Sequence, residues 1–173
     1  MLISKEIEID MGHAVTHHNS KCKHLHGHRY LVRAWVNGEV IQTPESEKES
    51  SYGMVIDFSD LKKALMDVID APFDHAFVLW ENDPRASLIE EAHTSWHNDA
   101  SKFHLVPYVP TAENLAAHWF LILDPVLHAH NIELDHLEVF ETPTSCVRCD
   151  WDDAKKFRET LSDEEFYKGL FND

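Results

Sequence analysis

The sequence predicts an α+β domain followed by a charged helical tail. Three observations predict it. Apolar residues alternate with polar ones over 2–10, 28–40, 134–141 and 145–151, the period of half-buried strands. Apolar residues recur at helical spacing after Asp57 and after Thr111. Beyond Asp152 the chain is charged and helix-favouring. The expected order is strand, strand, helix, helix, strand, strand, tail, with a domain over 1–151 and a helical extension over 152–173.

Each element has its own signal. Ile3, Ile7 and Ile9 alternate with polar residues, so 2–10 reads as a strand. Over 28–40, Tyr30, Val32, Ala34 and Val36 share one face, with Leu31, Arg33 and Trp35 on the other. A histidine-rich loop joins these strands, which makes a long hairpin. The segment 43–51, Thr-Pro-Glu-Ser-Glu-Lys-Glu-Ser-Ser, is polar enough to be an exposed loop. Asp57 or Ser59 can cap a helix running to about Ile69, with Leu61, Leu65, Val68 and Ile69 on its stripe. The stretch 81–109 is the least regular, a long loop with a short helix around Leu88–Trp96. Pro110-Thr111 opens a second helix carrying Leu115, Trp119 and Leu123, and Pro125 should end or kink it. In the tail, Ser162 and Glu165 have capping-box spacing.

Bulk properties narrow the function classes. A chain of 173 residues, 43% hydrophobic and 27% charged, is most simply one domain with a proper core. Its formal charge of −16 argues against nucleic-acid binding, which needs a basic face. The N-terminus carries charges where a signal peptide needs an apolar run, and no stretch is long enough to cross a bilayer. Three cysteines, an odd number, do not form a disulfide framework. The expected compartment is the cytoplasm, with no membrane partner.

The chemistry concentrates in residues 22–28, Cys-Lys-His-Leu-His-Gly-His. His26 and His28 lie two apart, so on a strand both imidazoles point to one side and can share a metal ion. With 14 histidines in the chain, such a pair can also arise by chance. A third ligand must come from elsewhere; His13 lies beside the pair if the strands form a hairpin, and His17, His18 and His24 are alternatives. Cys22 stands between Lys21 and Lys23, where nearby positive charge favours the thiolate. Asp74-His75 is a carboxylate beside an imidazole, an acid/base arrangement or, as a lone dipeptide, a loop pair. Glu141 ends a strand, where it could accept two N–H donors from a flat heterocycle or simply be solvated. Cys146-Val-Arg-Cys149 is not read as a metal or redox pair, because residues three apart on a strand face opposite sides.

Taken together these residues resemble the 6-pyruvoyl-tetrahydropterin synthase / 6-carboxy-tetrahydropterin synthase family. The resemblance runs in order through His13, Cys22-x-x-x-His26-Gly27-His28-x-Tyr30, Gly53-Met-Val-Ile-Asp57-Phe58 with Leu61-Lys62, Asp74-His75, Pro110-Thr111-Ala112-Glu113-Asn114-Leu115-Ala116 and Glu141-Thr142. It implies the tunnelling fold: a four-stranded antiparallel sheet with two helices on one face, three subunits closing a barrel, and two trimers stacked as a homohexamer. It implies zinc on His13, His26 and His28, Cys22 as general base, and Asp74 with His75 as the second acid/base group. Glu141 would anchor the pterin ring, with Thr111 near it. The implied substrate is 7,8-dihydroneopterin triphosphate. The Cys-x-x-x-His-Gly-His spacing looks like the 6-carboxy-tetrahydropterin branch, which releases acetaldehyde and triphosphate and serves queuosine-type deazapurine synthesis. The alternatives are 6-pyruvoyl-tetrahydropterin synthase and a non-catalytic metal-binding member of the fold. The triphosphate would fall to Lys21, Lys23 and Arg29, with Arg33 the weakest candidate because it shares a face with Trp35. The chain departs from the family pattern in Ile9-Asp-Met-Gly-His13, in Cys149 where a Tyr is usual, in the length of 81–109, and in the tail.

Overall fold

The computed structural model describes residues 1–42, 51–97 and 102–170, so most of the polar loop expected at 43–51 lies outside the described residues. Its centre is the hairpin of β1 (Leu2–His13) and β2 (His26–Asn37), paired antiparallel from Leu2↔Asn37 to His13↔His26. Both strands run further toward the histidine-rich loop than apolar alternation suggested. The buried face of β1 continues through Ile7, Ile9, Met11 and His13, and that of β2 runs back from Val36 through Tyr30 to His28 and His26. The period is unbroken; a polar residue in the last positions hid it.

β5 (Glu133–Thr142) pairs antiparallel with β2, and β6 (Ser145–Asp150) with β5, which gives the four antiparallel strands expected. The sheet nevertheless has six strands, in the order β4-β3-β1-β2-β5-β6. The two additional strands, β3 (Phe77–Trp80) and β4 (Phe103–Val106), are parallel to β1 and to each other. Each has four residues and almost no polar contrast, too little for a period-two signal. Between them lies helix α3 (Ala86–His97), close to the short helix expected, and it forms the crossover that a parallel pair requires.

Helix α1 (Phe58–Leu65) is capped by Asp57, which accepts from Ser59 N at 2.8 Å. A π-turn over Met66–Asp70 and the short α2 (Ala71–Phe73) prolong it. Thr111 caps α4 (Ala112–His128), accepting from Asn114 N at 3.4 Å. Pro125 neither ends α4 nor closes it; the helix passes through to His128. Fully buried Leu123 and Leu127 flank the proline and anchor the last turn on the core, which offsets the lost hydrogen bond. α1 and α4 cover one face of the sheet, packing Leu61, Leu65, Leu115 and Trp119 against Ile9, Val32, Leu137 and Val139. The opposite face bears charge pairs, among them Arg33 with Glu6 and Glu138, and a Trp35–His136 stack.

The tail folds as α5 (Trp151–Arg158), capped by Asp150, and α6 (Asp163–Leu170). The Ser162–Glu165 box forms, with Ser162 N donating to Glu165 Oε2 at 2.7 Å and Glu165 N to Ser162 Oγ at 3.2 Å. Ala154 is fully buried in the main core, and Phe157 packs edge-on against Tyr108. No helix among the described residues is long and apolar enough to cross a membrane.

Candidate metal centre

At the closed end of the hairpin, His13 faces His26 across the ladder and His28 stands two residues on. One ring nitrogen of each lies within 4.8 Å of the others. Among the described residues this is the only such group of three metal-ligating side chains. Its rings meet at centroid distances of 4.5 Å (His13–His26), 5.3 Å (His13–His28) and 5.0 Å (His26–His28).

Two of the three rings are oriented from behind. His13 Nδ1 donates to the Pro110 carbonyl at 2.7 Å and His26 Nδ1 to the His24 carbonyl at 2.7 Å. Each bond leaves Nε2 as the free ligating nitrogen, the usual backing for a metal-bound imidazole. Burial holds His13 below the ordinary imidazole range, against the pull of the Pro110 carbonyl. The ring therefore stays neutral, the form that ligates. Three imidazole nitrogens on one side of a strand pair suit zinc and leave a fourth position open.

Two glycines let the backbone close around this site. A Cβ on Gly27 would lie 2.9 Å from the Met11 carbonyl oxygen, and one on Gly12 would lie 2.4 Å from the Phe77 ring of β3. The Tyr30 hydroxyl, 3.3 Å from His13 Nε2, forms the floor. Burial first, then Glu141 and Cys22, push its phenol well up, so it stays protonated. Glu141 Oε1 reaches 3.7 Å from His13 Nε2 and 3.9 Å from His28 Nε2, at a partly open position.

Cys22 is half-buried on a 3-10 turn over Lys21–Lys23, with both lysines exposed. The alternative ligands lie outside this group: His17 packs edge-on to Trp80, His18 Nδ1 accepts from Ser20 N, and His24 is exposed, with only its backbone carbonyl engaged by His26.

Asp74 and His75 form a second group. Asp74 Oδ1 accepts from Asp10 N at 2.9 Å and its Oδ2 meets His75 Nδ1 at 2.6 Å. Burial works to raise the Asp74 carboxyl, but the Asp10 N–H, His75 and Lys102 together hold it below the usual range. His75 is exposed, sits in the left-handed region at φ 59°, and donates its N–H to the Asp10 carbonyl at 2.7 Å. The Lys102 ammonium fixes this turn by donating to the carbonyls of Ala71 at 2.6 Å and Asp74 at 2.7 Å. His75 borders an open hollow of about 430 Å³ lined also by Asp10, Gly27, His28 and Arg29.

The basic residues divide. Arg29 is held side-on by Asp10 at 3.0 Å through two nitrogens, beside the His75 hollow. Arg33 is engaged by Glu6 and Glu138 on the outer face, whereas Lys21 and Lys23 stay with Cys22. Cys146 is exposed and Cys149 buried, on opposite faces of β6; burial raises the Cys149 thiol to about 12. Sequence reading missed the Pro110 and His24 carbonyls and the Lys102 brace. Backbone acceptors carry no residue signature, and Lys102 is distant in the chain.

Comparison with known proteins places the chain in a family. The family described as 6-pyruvoyl tetrahydropterin synthase matches residues 2–151. A 6-carboxy-5,6,7,8-tetrahydropterin synthase from Haemophilus influenzae is 36% identical over 143 residues, covering 83% of this chain and 94% of that protein. Another of that name from Synechocystis is 33% identical over 151 residues, covering 85% and 91%. Among solved structures, an uncharacterised protein from Wolinella succinogenes superposes with a TM-score of 0.68 at 25% identity, over 87% of this chain and 98% of that one. The 6-pyruvoyl tetrahydropterin synthase of Caenorhabditis elegans does so at 0.57 and 21% identity, over 87% and 94%, a likeness of fold alone.

Proposed function

The chain belongs to the 6-pyruvoyl tetrahydropterin synthase family, and we propose that within it this protein is a zinc-dependent 6-carboxy-5,6,7,8-tetrahydropterin synthase. The substrates are 7,8-dihydroneopterin triphosphate and one water, and the products are 6-carboxy-tetrahydropterin, acetaldehyde and triphosphate, in queuosine-type deazapurine synthesis in the cytoplasm. The observation that carries the reading is the three-histidine pocket with Glu141 at its rim and Cys22 on the adjoining turn. The names of the relatives and the three-residue gap between Cys22 and His26 favour the carboxy branch.

Zinc, when bound, supplies Lewis acidity to the side-chain oxygens of the substrate. The protein does the rest. His13, His26 and His28 would hold the ion, and the Pro110 and His24 carbonyls keep the ligating nitrogens of His13 and His26 aimed. Glu141 accepts N–H donors of the pterin ring and fixes its rotation. Cys22 removes a proton from the substrate side chain, and His75, oriented by Asp74, moves protons on the other face. The ring gains what the side chain loses, so no external oxidant or reductant is required. Lys21 and Lys23 lie on the Cys22 turn, where they can attract the triphosphate.

Within one chain the Asp74–His75 pair bonds to β1 and Cys22 lies on the loop that follows it, in two separate hydrogen-bonded groups. We read a site that uses both as one completed by a second subunit, in the homohexamer of stacked trimers that the family resemblance implies. Incubating the zinc-loaded protein with dihydroneopterin triphosphate and assaying acetaldehyde tests the activity. Stoichiometric acetaldehyde is expected. Triphosphate release with a pyruvoyl product and no acetaldehyde would instead assign the 6-pyruvoyl branch.

A further inference from the structure

Cys22 lies in the segment 14–25 between β1 and β2. A single backbone bond closes its neck, from Val15 N to the Cys22 carbonyl at 2.8 Å. No residue of the Lys21–Lys23 turn is buried, so apolar packing does not fix the thiol. Both sides of the neck are instead held from the loop after β3. The Thr16 hydroxyl donates to Asp83 Oδ2 at 2.5 Å. Arg85 grips the same carboxylate side-on, Nε to Oδ1 at 2.9 Å and Nη2 to Oδ2 at 2.7 Å. Its remaining Nη1 donates to the Lys23 carbonyl at 2.9 Å. Thr16, Val15, Cys22, Lys23, Arg85 and Asp83 thus form one closed hydrogen-bonded ring.

The Asp83 side chain is fully out of water, and Arg85 holds it ionised, far below the usual carboxylate range. An ion pair in such a place is a poor way to gain stability, because desolvation cancels most of the attraction. What it does provide is direction. A guanidinium offers several donors in a rigid plane, and here one edge is spent on Asp83 while another nitrogen reaches the residue next to Cys22.

We propose that Asp83 and Arg85 are positioning residues that fix the Cys22 thiol relative to the three-histidine pocket, acting through Thr16 and the Lys23 carbonyl. The proposal rests on the reading of Cys22 as the base. It also gives the segment after β3 a task in the active site, although none of its side chains there touches the three histidines.

Arg85→Lys is the selective test. It keeps a cation beside Asp83 but cannot span both the carboxylate and the Lys23 carbonyl. Displacing a reacting group by about 1 Å costs on the order of a hundredfold, so kcat should fall roughly ten- to a hundredfold. KM, zinc content and sedimentation should stay at parent values. Thr16→Val leaves the ion pair intact and should give a smaller loss of the same kind, which keeps the test open if Arg85→Lys assembles poorly. The decisive comparison is in the Cys22→Ala protein, where Arg85→Lys should cost nothing more, because effects relayed through one residue are not additive. Parent-level kcat in both Arg85→Lys and Thr16→Val overturns the proposal, as does an Arg85→Lys loss that persists in full on top of Cys22→Ala. Parent-level turnover by Cys22→Ala itself overturns the base reading instead.

Discussion

His13, His26 and His28 occupy positions on the core-facing side of β1 and β2 where the alternation would otherwise place apolar residues. Their convergence follows from the hairpin register, and the aim of His13 and His26 from the carbonyls behind them. His26→Ala should therefore lose the metal, whereas His24→Ala, which keeps its backbone carbonyl, should retain it. Elemental analysis of both variants checks this; full zinc in His26→Ala would remove that residue from the ligand set. Cys22 differs, because it lies on a turn with no buried residue and carries no structural load in the core. Cys22→Ala should retain zinc and fold but lose roughly 10²–10⁴-fold in turnover, the usual worth of a positioned base. Cys146→Ala should stay close to the parent rate in the same assay.

Helix α4 carries the clearest pH dependence. His118 is buried on it, bonded to the Tyr108 hydroxyl and near His104, and burial lowers it to about 4. An unfolded histidine titrates near 6.5, so between these values the unfolded chain binds a proton that the folded one refuses. The stability that His118 contributes is complete above about pH 6.5 and is lost as pH falls toward about 4, a total of about 3 kcal/mol. Urea unfolding at pH 7 and pH 5 should show a smaller drop in His118→Gln than in the parent. His104 and His13 shift in the same direction and remain in both proteins, so the difference between parent and variant isolates His118. An equal drop in the two would assign the effect to other groups. Helix α4 also shows the limit of a local rule. Pro125 predicts an end or a kink, yet the helix runs on to His128 with Leu123 and Leu127 buried on either side of the proline.

At the scale of the whole molecule, a site shared between subunits can be tested by mixing. Cys22→Ala and His75→Ala should each be nearly inactive. When they are dissociated and reassembled together, roughly a quarter of the sites receive an intact Cys22 from one chain and an intact His75 from another. Turnover should recover to about that fraction if the groups act across an interface, and should stay at the single-variant level if each chain uses its own pair. Sedimentation of the parent as a hexamer is the companion result, since the outer strands β4 and β6 leave the sheet with two edges to be covered.

The sequence by itself determined what local period and short-range geometry encode. Alternation in β1 and β2 set the two faces of the hairpin, Asp57 or Ser59 and Thr111 marked the starts of α1 and α4, and the His26–Gly27–His28 spacing set two ligands on one side. It could name His13 only as one candidate among several, because its partnership with His26 depends on a register between two strands. Tertiary structure decided whatever depends on contact between distant segments. It added β3 and β4 to the sheet, carried α4 past Pro125, placed the Pro110 carbonyl behind His13, and brought Asp83 and Arg85 to the neck of the Cys22 loop. The pairing of β1 with β3 spans only Gly12↔Phe77 and His13↔Val78 and depends on a glycine that lets the Phe77 ring approach. Neither four apolar residues nor a single aspartate announces its partner in the chain; their positions are fixed only when the helices close over one face and the loops must satisfy their remaining hydrogen bonds.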